Sequence, residues 1–172
     1  MVVSDDFWDD SDEFTGPSLS AEIIGTAEAS LGYKLPASYI KLLQIRNGGT
    51  PNRCCFPTNV PTSWADDHIE ICGIRGIGGM WGIDAEELGS KAMIQNWGYP
   101  DVGIVIGEMP SAGHDTVMLD YSLSGPQGEP RVIHVETENT APTVLVLAPD
   151  FATFFATFID GLVSCGQFEI EN

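Results

Sequence analysis

Positive charge is scarce in this 172-residue chain: seven Lys and Arg face 25 Asp and Glu, for a net charge of −18. A surface of that sign repels nucleic acid and anionic membranes and attracts a cationic partner. Long apolar runs are missing too. No stretch of about 20 apolar residues is available to span a bilayer, and the first residues are acidic where a secretory leader would be basic and then apolar. The expectation is a cytoplasmic protein that contacts neither membrane nor nucleic acid directly.

Cysteine is sparse and poorly spaced for chemistry. Cys54, Cys55, Cys72 and Cys165 form no C-x-x-C pair, and two adjacent cysteines make a poor start for a disulfide framework. They read as reduced thiols that behave as small buried hydrophobes. Catalytic signatures are equally thin. There is no H-E-x-x-H, no G-x-S-x-G around Ser111 or Ser124, and the glycines at 76, 78 and 79 lack the Lys and Ser/Thr of a phosphate loop. The one polar constellation with chemical potential is Gly113-His114-Asp115, with Asp120, Glu108 and His134 not far off. An Asp-oriented His can act as a general base or bind a metal, yet His114 reads more simply as a turn residue. No enzyme, no cofactor and no metal site is predicted.

What the chain does hold is enough apolar material, 43%, for one globular domain with many Gly and Pro between short elements. Residues 1–17 form an acidic, flexible arm around Phe7 and Trp8, 18–163 the domain, and 164–172 a tail. Pro36 can open a helix whose Tyr39, Leu42 and Leu43 face inward while Lys41 and Gln44 face water, and Asn47-Gly48-Gly49 stops it. Before it, Ser18 or Ser20 caps a helix that runs to about Ser30 and closes at Gly32. Residues 50–67 read as a surface loop that carries Trp64, Asp66 and Asp67, followed by a half-buried strand from His68 to Ile74. Asp84 and Glu87 suggest a capping box for a helix from Ala85 to about Asn96, with Leu88 inward, ended by Trp97-Gly98-Tyr99-Pro100.

Three strands follow, at 103–108, 115–121 and 131–137, as an antiparallel meander turned at 110–113 and 125–128. Val144 to Leu147 is a further strand or the approach to the last helix. That helix, about 150–163, sets Phe151, Phe154, Phe155, Phe158, Ile159 and Leu162 on one face and must pack on the sheet. The resulting class is α+β: a single domain with a central, mainly antiparallel sheet and helices packed against it.

The order and spacing of Leu31-Gly32, Leu35-Pro36-x-x-Tyr39, Asn47-Gly48-Gly49, Trp97 with Pro100, Gly107, Gly113-His114-Asp115, Leu119-Asp120-Tyr121, Glu129-Pro130-x-Val132 and Phe151-x-x-Phe154-Phe155 resemble the SUKH superfamily over about residues 18–163. That superfamily joins Smi/Knr-type cell-wall regulators of fungi to bacterial toxin-immunity proteins. The resemblance implies a SUKH-like α+β fold without enzymatic activity, and a protein that binds a cognate toxin domain of a polymorphic toxin system. A basic nuclease domain suits the charge of this chain. Asp66, Asp67, Glu86, Glu87, Asp101 and Glu108, with Trp64 and Trp81 as aromatic anchors, are the candidate contact residues. The alternative the resemblance leaves open is a regulatory or scaffold module like the fungal regulators. Oligomeric state is not specified by the sequence.

Overall fold

The computed structural model describes residue 3 and residues 6–160, and within them an α+β single domain of four helices and seven strands. The helices are α1 (Ala21–Leu31), α2 (Ala37–Ile45), α3 (Ser90–Trp97) and α4 (Phe151–Asp160). The strands are β1 (Cys55–Pro57), β2 (His68–Glu70), β3 (Gly73–Ile74), β4 (Gly103–Glu108), β5 (Asp115–Asp120), β6 (Arg131–Glu136) and β7 (Thr143–Ala148). β1 and β2 make a two-stranded sheet, and β3-β4-β5-β6-β7 a five-stranded antiparallel one in chain order.

The signals that bound the first two helices are used as the sequence predicts. Ser20 caps α1 by accepting from the Ile23 N–H at 3.2 Å, and Gly32 closes it at φ 84°. In α2, Tyr39, Leu42 and Leu43 are buried while Lys41 and Gln44 are exposed. The Asn47 stop does more than end a helix. Its buried side chain donates to the Pro17 and Ile77 carbonyls and accepts from the Ile77 N–H, at 2.7–2.8 Å, so it ties the start of the chain to the glycine-rich stretch after β3. Gly48, at φ 86°, has backbone of Phe14, Gly76 and Ile74 where a Cβ would stand, so only glycine fits this crossing.

Four expectations need correction. The helix read from Ala85 begins instead at Ser90, because the Asp84 carboxylate accepts the Gly78 N–H at 2.7 Å rather than capping a helix, and Gly89 interrupts the run. Leu88 consequently lies in a turn, 37% exposed. The strand read from His68 to Ile74 is two strands. The Ile71 N–H still bonds the Cys54 carbonyl, but the Cys72 N–H bonds that of Glu108, so the chain passes from the small sheet to the large one between them. The loop at 50–67 contains β1, whose Pro57 stands at the strand end where a missing N–H does least harm. Finally, Cys55 is in a disulfide rather than reduced. Cys72 remains a thiol, pushed up to about 11 by burial and then by nearby Glu108, which leaves it protonated and unreactive.

The residues assigned to the acidic arm carry buried aromatics. Phe7 meets Phe155 edge-on at 5.0 Å, Phe14 meets Trp81 at 5.2 Å, and Arg46 donates to the Asp9 and Ser11 carbonyls. β7 resolves the remaining choice as a strand. Of the last helix, the side chains of Ile159 and Leu162 lie outside the described residues, while Phe151, Phe154, Phe155 and Phe158 are buried as predicted.

Candidate protein-binding cleft

A cleft of about 480 Å³ opens where the end of α1, the middle of α3 and the entry to β4 meet. Gly32 lets the chain leave α1 in the left-handed conformation, which sets Tyr33 outside the helix and 4.5 Å from the Tyr121 ring at an interplanar angle of 31°. Three hydrogen bonds hold this wall. The Tyr121 O–H donates to the Lys34 carbonyl at 2.7 Å, the Lys34 N–H to that of Pro126 at 2.8 Å, and the Tyr121 N–H to that of Val102 at 2.8 Å. Asp101 stands exposed on the rim, Ile94 and Val102 line the floor, and Lys91 closes one end with its ammonium on the Ser30 carbonyl at 2.6 Å.

The cleft carries charge of both signs, with Asp101 on the rim and Lys91 at one end. Burial first, then the charges of Asp101 and Asp120, raise the Tyr33 hydroxyl above its usual pKa, so the ring stays neutral. A neutral aromatic face beside a carboxylate suits an ammonium or guanidinium group. The candidate contact residues read from the sequence do not include Tyr33 or Tyr121, and Tyr121 figures there as a strand residue and in the Leu119-Asp120-Tyr121 motif. The usable signal is the Gly-Tyr pair at the end of α1.

The predicted contact residues lie on separate segments. Asp66 and Asp67 are exposed on the 58–67 loop with Trp64, and this loop is anchored by Ser63, whose N–H and O–H both donate to Glu136, at 2.7 and 2.9 Å. Glu86 and Glu87 are exposed in the turn before α3, and Asp101 is on the cleft rim. Glu108 differs, because its carboxylate pairs with the buried Arg75, which also donates to the Leu88 carbonyl at 2.5 Å. Burial raises the Glu108 pKa and Arg75 opposes the rise. Trp81 is half-buried against Phe14.

The His-Asp constellation also takes a different form from the one read in the sequence. His114 is exposed on its turn, edge-on to Trp97, while Asp115 pairs with His134 at 2.8 Å. Those two side chains are 2% and 1% exposed, with Glu136 3.9 Å from the other ring nitrogen. Such a pair fastens β5 to β6 and meets no molecule from solvent. Among the described residues no group of three or more His, Cys, Asp or Glu is arranged to hold a metal ion, and no helix is long and apolar enough to cross a membrane.

The profile of the SMI1 / KNR4 family (SUKH-1) matches residues 18–157, from the loop before α1 into α4. The chain belongs to that family. No curated protein matches it. The match covers the whole five-stranded sheet, all of α1–α3 and most of α4, so the cleft belongs to the SMI1 / KNR4 part of the chain, while the Asn47 crossing ties that part to Pro17 just before it. Residues 6–17, with Phe7 and Phe14 packed on it, lie outside the match.

Proposed function

We propose that this chain is a non-enzymatic immunity protein of the cytoplasm that binds a cognate basic toxin domain, of nuclease type, and neutralises it by masking its active surface. The observation that carries this reading is how the charge is distributed. The scarce cations are largely used within the chain: Lys34 with Glu28, Arg46 with the carbonyls of Asp9 and Ser11, Arg75 with Glu108, Lys91 with Ser30, and Arg131 with Asp120. Among the described residues, no Lys or Arg pairs with the exposed carboxylates of Asp66, Glu86, Glu87 and Asp101, and Asp67 meets only the ring of His68, at 2.7 Å, so these groups are left to carry the net −18 at the surface. A surface left this acidic steers a phosphate-binding, cationic domain toward it, and its carboxylates can occupy sites that the phosphates would take. Family membership supports a protein-binding role of this kind.

The test is a pull-down with the tagged chain against the toxin domain encoded beside its gene, at 50 mM and 500 mM salt, with toxicity scored on co-expression. The immunity reading requires tight binding that weakens with salt and abolishes toxicity. Unchanged toxicity and no retained polypeptide sink it, and retention of a non-toxic cellular protein in its place supports the scaffold role of the fungal regulators.

A further inference from the structure

The two edges of the five-stranded sheet are treated in opposite ways. β3 has two residues, and its Ile74 exchanges both backbone hydrogen bonds with Gly49, at 2.9 and 3.0 Å, so that edge is short and already paired. β7 has six residues, Thr-Val-Leu-Val-Leu-Ala, and among the described residues no strand pairs with its outer side. Natural sheets blunt an open edge with Lys, Pro, a bulge or an overlying segment. β7 itself contains neither Lys nor Pro, its register shift against β6 lies at Leu147, past Val144 and Val146, and no residue from 139 to 149 carries a charge in a chain of net −18. Val144 and Val146 stand opposite Val135 and Ile133, which are buried, yet are themselves 46% and 49% exposed. The apolar row beneath α3 therefore runs out to solvent at this edge.

We infer that β7 is a homodimer edge, on which the β7 of a second copy pairs antiparallel to continue the sheet. Charge decides the occupant. A basic partner finds no carboxylate along residues 139–149, whereas a second β7 is equally neutral and brings an identical row of N–H and C=O groups. Pairing about a two-fold axis at Leu145 sets Val144 of one copy against Val146 of the other on the α3 side, which covers both exposed valines. This dimer would be opposed by the repulsion of two −18 chains, so salt strengthens it. The proposed toxin complex responds to salt in the opposite sense, so each idea can fail without the other.

The experiment is sedimentation equilibrium of the full chain from 1 to 500 µM at 50 and 500 mM salt, beside Val146→Lys and Val144→Thr, with amide exchange of β7 followed against concentration. Val146→Lys lowers the net negative charge, so general repulsion alone would tighten the dimer. The expected result is a dimer favoured by salt, weakened at least about tenfold by Val146→Lys and less by Val144→Thr, with β7 amides protected only as copies associate. A monomer under all conditions overturns the inference, whether β7 amides exchange freely or are protected at every concentration by the chain's own residues. A dimer indifferent to both substitutions overturns it as well.

Discussion

The two faces of the five-stranded sheet are built from the same strands and finished very differently. On one face α1, α2, α4 and the small sheet close over 25 buried apolar residues, with Tyr39, Phe56, Phe151, Phe154, Phe155 and Phe158 among them. On the other, the eight-residue α3 contributes Met93 and Ile94 and covers five more described residues: Tyr99, Val105, Met118, Ile133 and Val135. Phe56 stacks on Phe154 at 4.8 Å and 19°, and Tyr39 meets Phe151 edge-on at 5.0 Å, so the first face is a continuous aromatic layer. Among the described residues the second has no aromatic pair at its centre, and it leaves Val144, Val146 and Trp97 part-exposed. One face thus carries the stability of the domain, and the other has apolar and polar surface left over for contacts.

If that division holds, the same kind of truncation must cost more on the aromatic face. Phe154→Ala is expected to lower unfolding free energy by about 4 kcal/mol, since it removes a fully buried ring from a stack that cannot collapse around the gap. Met118→Ala, fully buried under α3, is expected to cost about 2.5 kcal/mol, because a flexible side chain beneath a single short helix leaves a void the helix can settle into. Urea melts of both variants against the parent chain measure the pair. Equal costs would mean that α3 is as firmly seated as α4, and the contrast between the faces would fall.

The sequence predicted the heavy face far better than the light one. Phe151, Phe154, Phe155 and Phe158 repeat at helical spacing, and Pro36 and Gly32 punctuate the helices that pack beside them, so local signals and burial agree. The α3 side depends on choices that only tertiary contacts make. Asp84 had two possible N–H partners, and the Gly78 amide, six residues back and brought close by the glycine-rich turn, took it from the predicted helix start. The handover from β2 to β3 is invisible for a similar reason, because an alternating His68–Ile74 pattern does not say that Cys54 and Glu108 are the carbonyls it meets. The cleft is not legible in the sequence, because its Tyr33–Tyr121 contact joins residues 88 apart.

Polar chemistry sharpens the comparison at the cleft end of the α3 face. Asp120 is buried, which alone would raise its pKa, but hydrogen bonds from Ser122 and from Arg131, at 2.7 Å, outweigh burial and hold the carboxyl below its usual range. A carboxyl whose folded pKa is depressed adds stability above the unfolded value and loses it as pH falls through the folded one. Asp120→Asn is therefore expected to cost about 2 kcal/mol at pH 7. The gap between parent and variant should close as pH drops below about 4, toward the depressed value. Denaturation at pH 7, 5 and 3 checks this, and a gap that stays the same in acid would show that Asp120 acts by packing rather than by charge.

The smallest expected effect is the most diagnostic of where the α3 layer ends. Val135 and Val144 are paired across β6 and β7 on the same face, and differ in that the first is fully buried and the second 46% exposed. Val→Thr keeps the shape and adds one hydroxyl. At Val135 that hydroxyl is buried without a partner, for an expected loss of about 2 kcal/mol. At Val144 it meets water, and the change should stay within about 0.5 kcal/mol. Measured at low micromolar concentration, where the monomer prevails, the two values set the boundary of the core between neighbouring strands. Repeated at several hundred micromolar in 500 mM salt, Val144→Thr should grow toward the Val135→Thr value if a second β7 covers that side chain, and stay small if water does.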